Sequence, residues 1–180
     1  MMQKGLTQIF YGNGKGKTTA ALGTALRACG SGFKVHLVQF MKNGASSLEE
    51  QIPGEIISLN KLDNFSYKRF GTGDWLLKDG DKTKHINKAE EAFQYLQGSL
   101  NGNYDMIIAD EILYAVQLGL IPEKEIIGLI KNKPREKELI LTGSHKPFPD
   151  IFELADLVTE VKKIKHPYDK GILARKGIEY

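Results

Sequence analysis

Gly12-Asn13-Gly14-Lys15-Gly16-Lys17-Thr18-Thr19 decides the fold. Glycines at alternate positions let the backbone take positive φ and curl until several N–H groups converge. Gly16-Lys17-Thr18 matches the second half of the phosphate-loop pattern G-x-x-x-x-G-K-[ST]. The first position of that pattern falls on Tyr11, and counted from Gly12 the loop is one residue short. Its flanks have the required order. Leu6–Tyr11 reads as a short buried strand ended by glycine. Thr18–Cys29 reads as a helix whose Ala20, Ala21, Gly23, Ala25 and Ala28 let it lie close to a sheet, and Gly30 and Gly32 stop it. In such a loop Lys17 brings an ammonium to phosphate, the helix start adds its positive dipole end, and the Thr18 hydroxyl can ligate Mg²⁺. The plainer alternative is a glycine-rich turn with solvated lysines, and the strand–loop–helix context argues against it.

Working outward, Lys34–Phe40 predicts a second strand and Glu55–Leu59 a third. Residues 61–84 read as a loop region that carries the only tryptophan, Trp75. Lys84–Leu100 predicts a helix with Ile86, Ala89, Ala92, Phe93, Leu96 and Leu100 on one face. Tyr104–Ala109 is an apolar strand that ends in Asp110-Glu111. Short helices are expected at Ile112–Leu118 and Pro122–Lys131, a strand at Glu138–Thr142, a short helix at Phe148–Leu154 and a last strand at Leu157–Val161. Continuous apolar strands alternating with helices imply an α/β fold of the P-loop NTPase kind, a mostly parallel sheet with helices on both faces. No linker divides the chain, so residues 1–180 form a single domain.

Asp110 and Glu111 stand where parallel sheets collect ligands, at the carboxyl end of a strand. With Thr18 they form a candidate Mg²⁺ site opposite the loop, one carboxylate on the ion directly or through water and the other orienting water or the loop. Thr142-Gly143-Ser144-His145 would reach the same edge, to contact phosphate or ribose or simply to turn. His36 is expected to be structural and His85 to sit on a solvated helix face. No His/Cys spacing suggests zinc.

The apolar fraction of 41% and the net charge of +3 are ordinary for a soluble domain and give no argument for nucleic acid. The single cysteine, Cys29, forbids an internal disulfide, reads as a small buried residue and points to a reducing compartment. No leader opens the chain and no apolar run approaches about 18 residues, so no membrane is expected and the location is expected to be cytoplasmic.

Tyr11–Cys29 resembles the phosphate loop and first helix of the P-loop corrinoid adenosyltransferases, in which the shortened GNGKGKTT loop is itself the pattern. Gln39-Phe40-Met41-Lys42, Asp110-Glu111 within IIADEILYAV, and Leu141-Thr142-Gly143 resemble further elements of that family. So do ELADLVTEV, Lys165-His166-Pro167-Tyr168-Asp169-Lys170-Gly171 and Lys176-Gly177-Ile178-Glu179-Tyr180. The resemblance implies that Co(I) of a corrinoid attacks the 5′ carbon of ATP and inorganic triphosphate leaves. It implies Lys17, Thr18 and Glu111 as the residues of the reaction and Mg²⁺, with Mn²⁺ as a substitute, held by Thr18, Asp110 and Glu111. Gly12, Asn13, Gly14, Lys15, Gly16, Lys17, Thr18, Thr19, Thr142 and Gly143 would bind nucleotide. Trp75, in Gly71-Thr72-Gly73-Asp74-Trp75, lacks the phenylalanine that often precedes the family's tryptophan. The resemblance implies that it binds the corrinoid and keeps part of the family's aromatic role of displacing the lower axial ligand; the plainer alternative is a loop anchor. Ser144 stands where an arginine is common. A reduced flavoprotein as electron donor and a homodimer are also expected from the resemblance. Because the chain begins almost at its first strand, the N-terminal extension that covers the active site in some relatives is expected to be absent. The competing readings are a P-loop kinase or ATPase, and a carrier that binds nucleotide and corrinoid without turnover.

Overall fold

Six strands pair in one sheet, all parallel, in a computed structural model that describes residues 3–42, 52–72 and 81–179. They are β1 (Thr7–Tyr11), β2 (Val35–Gln39), β3 (Phe65–Arg69), β4 (Met106–Asp110), β5 (Glu138–Thr142) and β6 (Leu157–Glu160), in the order β3-β2-β4-β5-β1-β6. Every residue of β2, β4 and β5 is buried, as expected for strands covered on both faces.

Side-chain alternation divides the core in two. Val35, Leu37, Met106, Ile108 and Ile140 face α1 (Lys17–Gly30) and α2 (Gly54–Leu59). Of the small residues of α1, Ala21, Ala25 and Ala28 are buried against the sheet, together with Leu22 and Cys29, whereas Gly23 is exposed and Ala20 partly so. Val38, Ile107, Ala109, Leu139 and Leu141 face the other way, toward α3 (Thr83–Leu100), α4 (Ile112–Gln117), α5 (Glu123–Lys131) and the single turn α6 (Pro149–Phe152). None of the helices among the described residues is long and apolar enough to cross a membrane.

Two expectations need correction. Glu55–Leu59 is not a strand but most of α2, which starts after Pro53. Its β-branched run is misleading by composition; Ile56 and Leu59, three apart, are buried while Ile57 between them is 52% exposed, which is helical spacing. The third strand lies instead inside the stretch read as a loop, where Phe65–Arg69 pairs with Val35–Gln39. It is a polar edge strand with only Phe65 fully buried, so its pattern is weak. His36 is structural as expected. It is buried, stacked on Tyr104 at 4.5 Å, with Nδ1 against the Ser66 hydroxyl at 2.7 Å and Nε2 against the Tyr95 hydroxyl at 3.2 Å. Burial pushes its pKa down to about 4.

Candidate active site

The loops after β1, β2, β4 and β5 all open on the carboxyl edge of the sheet, and that edge collects the polar side chains singled out in the sequence. Residues 12–16 leave β1 and turn into α1 through Gly16, which has φ of 121°. The glycines serve close approach as well as curvature. A Cβ on Gly12, itself at φ 114°, would stand 2.4 Å from the Val161 carbonyl oxygen, and one on Gly14 2.8 Å from the same atom. The Gly12 and Gly14 N–H groups are occupied by Ser144 O (3.0 Å) and Val161 O (2.8 Å). Inward-facing donors must therefore come from the other loop positions and from the start of α1, where Lys17, Thr18 and Thr19 lie in the first turn.

Lys17 folds back across the loop, its Nζ donating to the carbonyls of Gly12 (2.7 Å) and Gly14 (3.0 Å). Burial lowers its pKa, opposed by the nearby charges of Glu111 and Asp110. Lys15 points away. Its Nζ donates to Ile178 O and pairs with Glu179 Oε1, both at 3.0 Å.

Asp110, the last residue of β4, is fully buried and its carboxylate accepts three hydrogen bonds. Thr18 Oγ1 (2.8 Å) and Thr142 Oγ1 (2.6 Å) donate to Oδ1, and Gln39 Nε2 (3.0 Å) donates to Oδ2. The Thr142 hydroxyl also accepts the Glu111 N–H at 3.0 Å. Thr142 is thus joined to the acidic pair and helps to orient it. Gly143, at φ 112°, is needed beside it, because a Cβ there would meet Tyr114 N at 2.7 Å and Glu111 Cα at 3.2 Å. Ser144 and His145 turn away: the His145 N–H donates to Gln117 Oε1 (2.7 Å), and the Ser144 hydroxyl, with one hydrogen to give, lies 2.6 Å from the Lys146 carbonyl oxygen and 3.0 Å from the same Gln117 oxygen.

Glu111 adopts left-handed backbone, φ 62°, which swings its side chain out of the line of β4. Such strain in a non-glycine residue is often tied to function. Its carboxylate is 21% exposed and lies 3.7 Å from Lys42 Nζ. Burial raises its pKa, and Lys42 acts in the opposite sense.

Glu111 and Lys42 form one wall of a cleft of about 360 Å³ completed by Phe40, Met41, Tyr114 and His85. His85 is therefore not on a solvated helix face; it is half-buried in this cleft, with Nδ1 3.2 Å from the Thr72 hydroxyl. Trp75 and Tyr180 lie outside the described residues.

In the sequence Gln39, Lys42 and Glu179 belong to motifs, and no property of the sequence alone gives them a task. Gln39 could have been found by register, since it pairs with Asp110 across β2 and β4 and so shares its face. Because a carboxylate only accepts, its amide nitrogen must face Asp110, and its buried Oε1 is left without a partner.

The residues present fit a hard divalent cation. The one hydrogen of the Thr18 hydroxyl is committed to Asp110, which leaves oxygen lone pairs for an ion, and Asp110 with its three bonds in place is suited to act from behind Thr18.

The sequence profile of the ATP:corrinoid adenosyltransferase BtuR/CobO/CobP family matches residues 3–180. The corrinoid adenosyltransferase of Escherichia coli K12 is 36% identical over 186 residues, covering 99% of this chain and 87% of that protein. Corrinoid adenosyltransferase CobA of Salmonella typhimurium LT2 is 34% identical over 184 residues, with the same coverage of both chains. Among solved structures, the cytoplasmic domain of EssC superposes with a TM-score of 0.52 at 16% identity. That match covers 98% of this chain but 35% of the EssC chain, and it supports the α/β fold alone. The family match over nearly the whole length, with the site lying inside it, is decisive: the chain belongs to the ATP:corrinoid adenosyltransferase family.

Proposed function

We propose that this chain transfers the 5′-deoxyadenosyl group of ATP to the cobalt of a reduced corrinoid and releases inorganic triphosphate. The observation that carries the reading is the adjacency of two unlike compartments. A phosphate loop with Lys17 folded across it abuts a partly apolar cleft, and Glu111 and Lys42 stand between them.

ATP spans the two, with its terminal phosphates in the loop and its 5′ carbon at the cleft. The lone pair of Co(I) forms the Co–C5′ bond, the C5′–O bond breaks, and its electron pair leaves with triphosphate. Cobalt is formally oxidised from Co(I) to Co(III). The whole triphosphate is the leaving group, so cations should gather on the phosphates rather than at a protein nucleophile. Lys17 exchanges its bonds to Gly12 and Gly14 carbonyls for phosphate oxygens. The N–H groups at the start of α1 hold the terminal phosphates and stabilise the charge that the triphosphate carries away. Mg²⁺ would be held by Thr18 directly, oriented by Asp110 and supported by Glu111; when bound it supplies charge neutralisation on the phosphates. The strong nucleophilicity of Co(I) removes the need for a general base.

Co(I) must be generated by a one-electron donor, and a reduced flavoprotein fits that role. A cytoplasmic, homodimeric enzyme completes the reading.

The test is direct. Protein, Mg-ATP and chemically reduced corrinoid should convert the Co(I) visible spectrum into that of a light-sensitive alkylcobalt product. Lys17→Ala should slow the conversion by roughly a hundred- to thousandfold while the protein remains folded. A Lys17→Ala variant with normal turnover would show that this loop does not carry the triphosphate.

A further inference from the structure

The chain that follows β6, residues 161–179, lies over the phosphate loop as a strap and has little apolar hold on the body. Ile164 is 89% exposed and Leu173 76%. What holds it is polar and converges on three loop residues. Gly14 N–H donates to Val161 O (2.8 Å), the Asn13 side-chain oxygen accepts the Lys163 N–H (2.9 Å), and Lys15 Nζ takes Ile178 O and Glu179 Oε1 (both 3.0 Å).

The last of these is the only charged tie to the loop among the described residues, and it is prepared in advance. The Arg175 guanidinium donates from Nε to Glu179 Oε2 and from Nη2 to Oε1, both at 3.1 Å, and the Arg175 N–H adds a bond of 2.8 Å to Oε2. Glu179 is therefore fixed before Lys15 reaches it, and its carboxyl is held down at about 2, chiefly by Arg175 and next by Lys15. Its side chain is 18% exposed, far less than the apolar residues around it. A second clasp, Lys163 to Asp169 at 3.0 and 3.1 Å, shapes the near end of the strap.

We propose that Glu179 is a positioning residue for the triphosphate loop, acting through Lys15. The loop is too short and too glycine-rich to hold one curvature by itself, and the backbone of Val161 and Lys162 packs directly where Cβ atoms on Gly12 and Gly14 would be. The Glu179–Lys15 pair clamps the far end of that packing. In this role Lys15 serves the strap, while Lys17 alone of the two loop lysines is left to the phosphates. The inference rests on the reading of the loop as the triphosphate site.

The experiment measures tripolyphosphate binding by calorimetry and steady-state constants with ATP and reduced corrinoid, for wild type, Glu179→Gln, Lys15→Gln and the double variant. Each single variant should weaken tripolyphosphate binding and raise KM for ATP by about fivefold, the upper range for a partly exposed pair. KM for corrinoid should stay put and kcat at saturating ATP should change less than about twofold, because the acceptor and the leaving-group contacts are untouched. The double variant should be no worse than either single, since both remove one link. Additive losses would mean that Lys15 grips phosphate directly, and an unaffected Glu179→Gln would mean that the strap is a passenger; either result overturns the proposal. If the wild type bound no tripolyphosphate, the triphosphate reading would fail and this inference with it.

Discussion

A threonine hydroxyl has one hydrogen and two lone pairs, and at Thr18 the hydrogen is already spent on Asp110. The same carboxylate oxygen takes the hydroxyl of Thr142, and the free lone pair of Thr142 takes the N–H of Glu111. Two threonines and two acids thus fix one another: Asp110 anchors both hydroxyls, and in the proposed cation site Thr18 and Glu111 offer their oxygens. That division of labour predicts the behaviour of Glu111→Gln, which keeps the shape and removes the charge. The magnesium concentration for half-maximal turnover should rise by roughly tenfold, as expected for weakening the surroundings of a metal site. An unchanged titration would make the acidic end of β4 structural. The place of Asp110-Glu111 was legible in the sequence as an apolar strand ending in acid. The hydrogen bonds of Thr142 were not, because a hydroxyl next to glycine at a strand end reads equally as a phosphate contact, a ribose contact or a turn, and its bonds to Asp110 and Glu111 arise only once β5 lies beside β4.

At the scale of elements, sequence and structure agree wherever a segment is strongly periodic or continuously apolar, as in α3, β4 and β5. They part at α2 and β3. Six residues rich in isoleucine do not discriminate one helical turn from a strand, and a polar edge strand carries half the usual signal. Where β2, β3, β4 and α3 meet, His36 packs against Ser66, Tyr95 and Tyr104 in a setting that favours the neutral ring. Its pKa falls from 6.5 to about 4 on folding. Below pH 6.5 the unfolded chain takes up a proton that the folded chain refuses, so stability is complete above that pH and is lost as pH falls toward 4. The loss from this residue should be roughly 1–3 kcal/mol across that interval. Denaturant titrations of wild type and His36→Phe at a series of pH values isolate it: the wild-type curve should drop relative to the variant from pH 6.5 downward. Parallel curves would mean that His36 titrates normally in the fold.

Over the whole molecule, the sheet order places β1 between β5 and β6 with β4 next to β5, so loops distant in sequence reach a single edge. The phosphate loop could be read from the sequence because its residues are contiguous and sterically demanding. The cleft beside it could not, because Lys42, His85 and Glu111 meet only through the sheet order. The account stands or falls on which bond of ATP is broken. Wild-type protein should be incubated with Mg-ATP in the presence and absence of reduced corrinoid, and the nucleotides and phosphates separated by anion exchange beside the corrinoid spectrum. Cleavage at the 5′ carbon predicts triphosphate and alkylcobalt product in equal amounts, little ADP, and ATP left nearly intact when corrinoid is omitted. Stoichiometric ADP, with or without corrinoid, would contradict adenosyl transfer and make the chain a kinase or ATPase on the same fold.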